Sequence, residues 1–271
     1  MSIQIISYAD GAAFAATAAA WIARDPAGMA LVASVAALPG AWSMLITVDG
    51  IPVVAATQTS PRMMIVEAAS SPEPATVAAL AEHARYRDAP GIIVPVAWAE
   101  AVITAMARPV RVRERQRLHR LVGRPQLPRP TAGAARWATS DDVERLRCWR
   151  DGFNREALSN ETTLPTSAEQ ILDVLNNLLL WTVEGVPVAM AVRARPVLGG
   201  WSIGWVYTPP DQRRRGYAGA LVHALANRLQ ADGATYVSLY TDLANPTSNR
   251  LYADIGFVPV ADSERIFWST T

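Results

Sequence analysis

A ten-residue pattern occurs twice in the chain: TVDGIPVVAA begins at Thr47 and TVEGVPVAMA at Thr182. In each copy an apolar run meets an acidic residue and a glycine, and a second apolar run follows with a proline in its second place. That pattern predicts a tight β-hairpin in which Gly50 or Gly185 takes a positive φ. The order of elements around the two hairpins repeats as well. Hydrophobic periodicity predicts a strand at 3–8, helices at 10–23 and 26–37, and strands at 41–48, 51–59 and 62–68. A helix at 73–87, a strand at 91–95, a helix at 97–107 and a strand at 110–122 follow. The second series has a strand at 133–138, helices at 141–158 and 167–179, and strands at 181–184, 186–194 and 200–208. It ends with a helix at 216–231, a strand at 235–241, a helix at 246–255 and a strand at 257–268. The two series match element for element, so the chain reads as two similar α/β domains in tandem. The join is GRPQLPRPTAG, residues 123–133, whose prolines suit a stiff linker. The domains are therefore expected at 1–124 and 132–271.

Composition narrows the chemistry. The formal charge of +1 over 271 residues gives no global field toward nucleic acid or an anionic membrane. Every positive residue is arginine, and the absence of lysine excludes Schiff-base chemistry, pyridoxal phosphate attachment and a Walker A lysine. One cysteine, Cys148, rules out an intrachain disulfide, fits a reducing compartment and reads as a small buried residue. His83, His119 and His223 lie far apart, without ligand spacing, so no metal is expected. The stretch AAFAATAAAWIA follows Asp10 rather than a basic region, which suits an amphipathic helix and not a signal peptide. No apolar run reaches the roughly 18 residues of a spanning helix, and a cytoplasmic protein is expected. RVRERQRLHR, from Arg111, alternates its arginines; on a strand they share one face, solvated or paired with acids, and no nucleic-acid role is assigned.

The segment DQRRRGYAGALV, residues 211–222, carries the chemistry. A strand ends at Tyr207–Thr208, and Pro209 and Pro210 stop it because proline donates nothing to a ladder. Arg213, Arg214 and Arg215 then lead to Gly216 and a helix. Unpaired N–H groups and the dipole at a helix start attract anions, and Gly216 and Ala218 leave room for a ligand against the backbone. Two readings fit, a phosphate cradle or a solvated basic turn. Downstream, TDLANPTSNRLYADIGF places Asn245, Ser248, Asn249 and Tyr252 on one helical face, with Leu251 and Ile255 turned to the core.

R-x-x-G-x-A at Arg213–Ala218, N-x6-Y at Asn245–Tyr252 and then Gly256–Phe257 resemble the GNAT acetyltransferases. The resemblance implies two GNAT-like domains of the mixed-sheet α/β class, with acetyl-CoA as cosubstrate and no metal. It implies that backbone N–H groups across Arg213, Arg214, Arg215, Gly216, Tyr217 and Ala218 hold the pyrophosphate. Val206, Tyr207 and Thr208 would pair with the pantetheine arm, and an N–H near Tyr207 would hold the oxyanion. Tyr252 would protonate the departing thiolate, Asn245 would hold the pantetheine chain or the tyrosine, and Ser248 would also bind the coenzyme. Glu156, in FNREALSNET, is the expected base, and Asp242 a second candidate. The acceptor is expected to be a primary amine of a small molecule or peptide, and the protein a monomer or homodimer. The first half has EAASSPEPATVAALAEH in place of the turn, so it reads as a degenerate partner domain. A non-catalytic acyl-CoA sensor is the alternative.

Overall fold

A computed structural model describes residues 2–85, 89–161 and 163–269. The first half runs β1 (Ile3–Tyr8), α1 (Gly11–Thr17), α2 (Ala19–Arg24), α3 (Ala30–Ala36), β2 (Trp42–Val48) and β3 (Ile51–Gln58). It continues with β4 (Met64–Ala68), α4 (Pro74–Arg85), β5 (Gly91–Pro95), α5 (Ala99–Met106) and β6 (Val110–Leu121). The second half runs β7 (Ala134–Trp137), α6 (Val143–Ala157), α7 (Ala168–Leu172), β8 (Leu178–Val183), β9 (Val186–Val197) and β10 (Gly200–Tyr207). It closes with α8 (Tyr217–Ala231), β11 (Val237–Asp242), α9 (Pro246–Ile255) and β12 (Phe257–Trp268). The fold class is mixed α/β, as the sequence predicts. Residues 86–87, expected to end the α4 helix, lie outside the described residues. No helix among the described residues is long and apolar enough to cross a membrane.

The repeated hairpins match in backbone detail. Asp49 and Gly50 have φ of 49° and 81°, and Glu184 and Gly185 have φ of 50° and 79°. Two successive positive φ values make the turn whose twist suits flanking strands. Both hairpins also slip register at the same place, where Thr47 faces Pro52 and Thr182 faces Pro187. Proline lacks the ladder donor, so the irregularity falls where the repeated proline sits.

Two expectations need correction. The helix expected over 167–179 stops at Leu172, and β8 begins at Leu178. Leu178 and Leu180 pack with Leu146 and Ile171, whereas Leu179 packs with Leu221 and Leu225. That alternation is a strand buried on both faces, a pattern that a run of leucines does not distinguish from a helix. Cys148 is exposed, not buried; it lies two residues beyond the buried Leu146, round the helix from the core stripe.

The chain forms two compact units, Met1–Leu118 with Val260–Thr271, and His119–Pro259. The division differs from 1–124 and 132–271 at both ends. In the first unit β5 has an edge to fill, and the end of β12 fills it, antiparallel, from Ser263 opposite Pro95 to Phe267 opposite Gly91. Gly91 admits this strand, since a Cβ there would collide with the Ile266 carbonyl oxygen. Two arginines of β6 in this unit bond acids directly: Arg117 bonds Asp262 at 2.6 and 2.8 Å, and Arg113 bonds Glu100 and the buried Glu264.

Candidate functional site

The second unit contains a cleft of about 700 Å³ between the end of β10, the start of α8 and the helix α9. Strand geometry opens it. β10 pairs in parallel with β11 from Trp201–Val237 to Ile203–Leu239 and no further. On its other side β10 loses register against β9 between Gly204 and Tyr207, where Trp205 has φ of 49°. A bulge turns a strand away from its neighbour and frees its backbone groups. Val206, Tyr207 and Thr208 therefore reach the cleft along an edge that β11 does not cover.

The arginine–glycine turn forms a second wall. Gly216 is the N-cap of α8 with φ of 89°, and Arg214 two residues before it has φ of 63°. Gly216 has no side chain to cap the helix, so the first N–H groups of α8 depend on a partner from outside the helix. Arg213, Arg214, Gly216, Tyr217 and Ala218 line the cleft. Arg215 is not among the lining residues; its guanidinium donates to the Asp211 carbonyl at 3.3 Å.

Helix α9 supplies the third wall. Asn245 caps it, its Oδ1 accepting from the Ser248 N–H at 3.0 Å. Asn245, Ser248 and Tyr252 line the cleft together, one turn apart. Asn249, expected on the same face, instead accepts from Thr241 Oγ1 at 2.6 Å and donates to the Asp242 carbonyl at 3.0 Å. It ties the helix to the end of β11. Tyr252 is 7% exposed and packs edge-on against Phe257, and burial pushes its phenol above the ordinary tyrosine value.

Glu156, at the end of α6, also lines the cleft. Both of its oxygens accept from Arg213 Nη2, each at 2.7 Å, and Arg213 Nε donates to the Thr208 carbonyl at 2.9 Å. Arg213 thus binds the ends of α6 and β10 to the start of α8. Burial, followed by Glu156, raises the Tyr207 phenol above its ordinary value, with Arg213 acting in the opposite direction. Asp242 does not line the cleft; its Oδ1 accepts from the Ala244 N–H at 2.8 Å and shapes the turn into α9.

Sequence reasoning missed nine residues of this cleft, among them Pro128, Arg129 and Gln212. The first two belong to the proline-rich join, whose composition signals only a linker. Among the described residues, no group of three or more histidine, cysteine, aspartate or glutamate side chains is placed to hold a metal ion. With its N–H groups, arginines and tyrosine, the cleft can grip an anion at one end and donate a proton deeper in.

The sequence pattern of the family described as FR47-like protein matches residues 187–266. That span holds the freed end of β10, the arginine–glycine turn and α9. No curated protein matches the chain. A GCN5-related N-acetyltransferase from Sphaerobacter thermophilus superposes with a TM-score of 0.62 at 17% identity, over 98% of this chain and 97% of that one. A Drosophila protein superposes with a TM-score of 0.68 at 12% identity, over 98% of both chains. A GCN5-related N-acetyltransferase from Kribbella flavida gives 0.55 at 18% identity, over 80% of this chain and 87% of that one. At these identities the likeness is one of fold.

Proposed function

The chain has the fold of the GNAT N-acetyltransferases, and on that premise we propose that it transfers the acetyl group of acetyl-CoA to a primary amine of a small molecule or peptide. The observation that carries this reading is convergence. The freed edge of β10, the Gly216 turn and Tyr252 all open on one cleft. An anion-seeking helix start beside an unpaired strand edge suits a diphosphate joined to an amide-bearing arm.

In this proposal the N–H groups between Arg213 and Ala218 hold the diphosphate, and Val206, Tyr207 and Thr208 hydrogen-bond the pantetheine amides. The amine nitrogen attacks the thioester carbonyl carbon directly, and the carbon–sulfur bond breaks as the tetrahedral intermediate collapses. A backbone N–H near Tyr207 donates to the oxyanion, fixed in place before charge develops. Tyr252 donates its proton to the departing thiolate. Burial keeps that phenol protonated but widens an uphill transfer, because a thiol has a pKa of about 8.5 and a tyrosine about 10 before any shift. The contribution of Tyr252 therefore belongs at the low end of the roughly 10²–10⁴-fold usual for general acids.

Glu156 is the proposed acceptor of the amine proton. A carboxylate offers about four acceptor directions, and Arg213 takes two of them. Glu156→Gln is expected to slow turnover and shift the acidic limb of the pH–rate profile; an unshifted limb removes Glu156 from this role. The reading as a whole is tested by calorimetry with acetyl-CoA, followed by thiol release over a panel of amines. Binding with thiol release supports transfer. Binding without release across the panel selects a non-catalytic acyl-CoA sensor, and no binding refutes both.

A further inference from the structure

The linker between the repeated halves places a cation where cations already crowd. Arg129 is exposed in the run 123–133 and lines the cleft beside Pro128. Its Nη2 donates to the Arg214 carbonyl at 2.9 Å. Its Nε lies 2.5 Å, and Thr131 Oγ1 2.8 Å, from the point a Cβ would occupy on Gly216. Pro128 packs against Gly219 one turn later, 3.5 Å from the corresponding point. The linker is thus laid along the first turn of α8 and does not loop away from it.

Electrostatics makes this placement informative. The start of α8 carries partial positive charge from its unpaired N–H groups. Arg213 and Arg214 line the same cleft, and Glu156 answers Arg213. Arg129 is bonded there to a backbone carbonyl, not to a carboxylate. Cations gathered at a positive helix end repel one another, and an anion among them turns that repulsion into attraction. The Gly216 contact indicates where such an anion would sit, because the guanidinium faces the glycine at which the unpaired N–H groups of α8 begin.

We propose that Arg129 is a diphosphate-binding residue of the coenzyme site, so that the diphosphate is held between the linker and the 213–218 turn. This rests on the reading of the cleft as an acetyl-CoA site and extends it: the segment joining the halves is a wall of the site, and bound coenzyme fastens it down.

The test is calorimetry of wild type, Arg129→Gln and Arg129→Ala with acetyl-CoA and with its 3′-dephospho form, plus a low-affinity titration with S-acetylpantetheine. Both variants are expected to bind the two diphosphate ligands about ten-fold more weakly, the scale of one charge-assisted hydrogen bond, and S-acetylpantetheine within about two-fold of wild type. Wild-type protein that fails to bind acetyl-CoA defeats the coenzyme reading and this proposal with it. Wild type that binds, with variants of equal affinity, overturns the proposal for Arg129 and leaves the coenzyme reading standing. Equal weakening toward all three ligands marks a loosened site and overturns it. Tighter binding by the variants also overturns it, because Arg129 would then obstruct the seat. A loss confined to acetyl-CoA moves the contact to the ribose phosphate and overturns the diphosphate assignment.

Discussion

The two units contain the same strand divergence and finish it differently. In the first, β4 pairs in parallel with β5 only at Met64–Ile92 and Ile65–Ile93. In the second, β10 pairs with β11 only from Trp201 to Ile203. Beyond the last pair the second unit opens into a cleft lined by Thr208 on one side and Asn245 on the other. At the corresponding places in the first unit stand Ser70 and Trp98. The Trp98 indole donates to the Ser70 carbonyl at 2.9 Å, and the ring is 1% exposed within the core of α4, α5 and β4. Residues 69–73 carry the chain from β4 to α4 without a positive φ, whereas 208–216 hold two, at Arg214 and Gly216. A splayed strand pair is therefore not a site in itself; what occupies the gap, and how the next helix starts, decides whether a ligand can enter.

The largest expected effect tests the filled gap. Trp98→Ala removes a fully buried ring and should cost about 3–5 kcal/mol of stability, read by denaturant unfolding. Acetyl-CoA stoichiometry should stay at one per chain, since the loop after β4 still lacks the turn; a second coenzyme bound by that variant would break the contrast between the units.

Tyr252→Phe probes the open gap. It should lower kcat about 10²-fold while leaving acetyl-CoA affinity within about two-fold, measured by steady-state kinetics beside calorimetry. The first unit has Ala105 at the matching place in α5, the seventh residue of each helix. Unchanged kcat would mean that this difference between the helices has no chemical consequence.

Gly216→Val should weaken acetyl-CoA by roughly 30-fold, because a β-branched residue is strained at positive φ and its Cβ would meet Arg129. Full affinity in that variant would show that the turn does not distinguish the two units.

The smallest effect concerns Glu67, two residues beyond the last β4–β5 pair. Burial, with Asp25 adding to it, pushes the Glu67 carboxyl up to about 8. A raised folded pKa gives stability that is full below the unfolded value of about 4.3 and is lost as pH rises through the folded one. Glu67→Gln should therefore melt about 2–4 °C higher than wild type at pH 8.5 and level with it at pH 4, by calorimetric scanning. A gain at acid pH instead would reverse the sign assigned to this unit.

The sequence was sufficient wherever a local rule fixes the backbone. Asp49–Gly50 and Glu184–Gly185 could be read as hairpins because few residue pairs accept two positive φ values in succession. Gly216 before α8 was legible as a helix start with room for a ligand against the backbone, whereas Asn245, read from sequence as part of a helical face, is the N-cap of α9. Their separation along the chain carried the family resemblance, and the absence of such a turn after β4 placed the expected site in the second half.

Tertiary structure decided whatever depends on residues distant in sequence. Leu178–Leu180 became a strand because two different sets of helices cover its faces, which periodicity in an all-apolar run does not encode. The end of β12 entered the first unit because β5 lacked a partner there, a shortage invisible from residues 257–268 alone. Arg129 reached the arginine–glycine turn from 85 residues away. Hydrogen bonding and sterics act over a few residues and leave their mark in the sequence; burial, strand exchange and converging charge act through space, and only the folded chain brings their partners together.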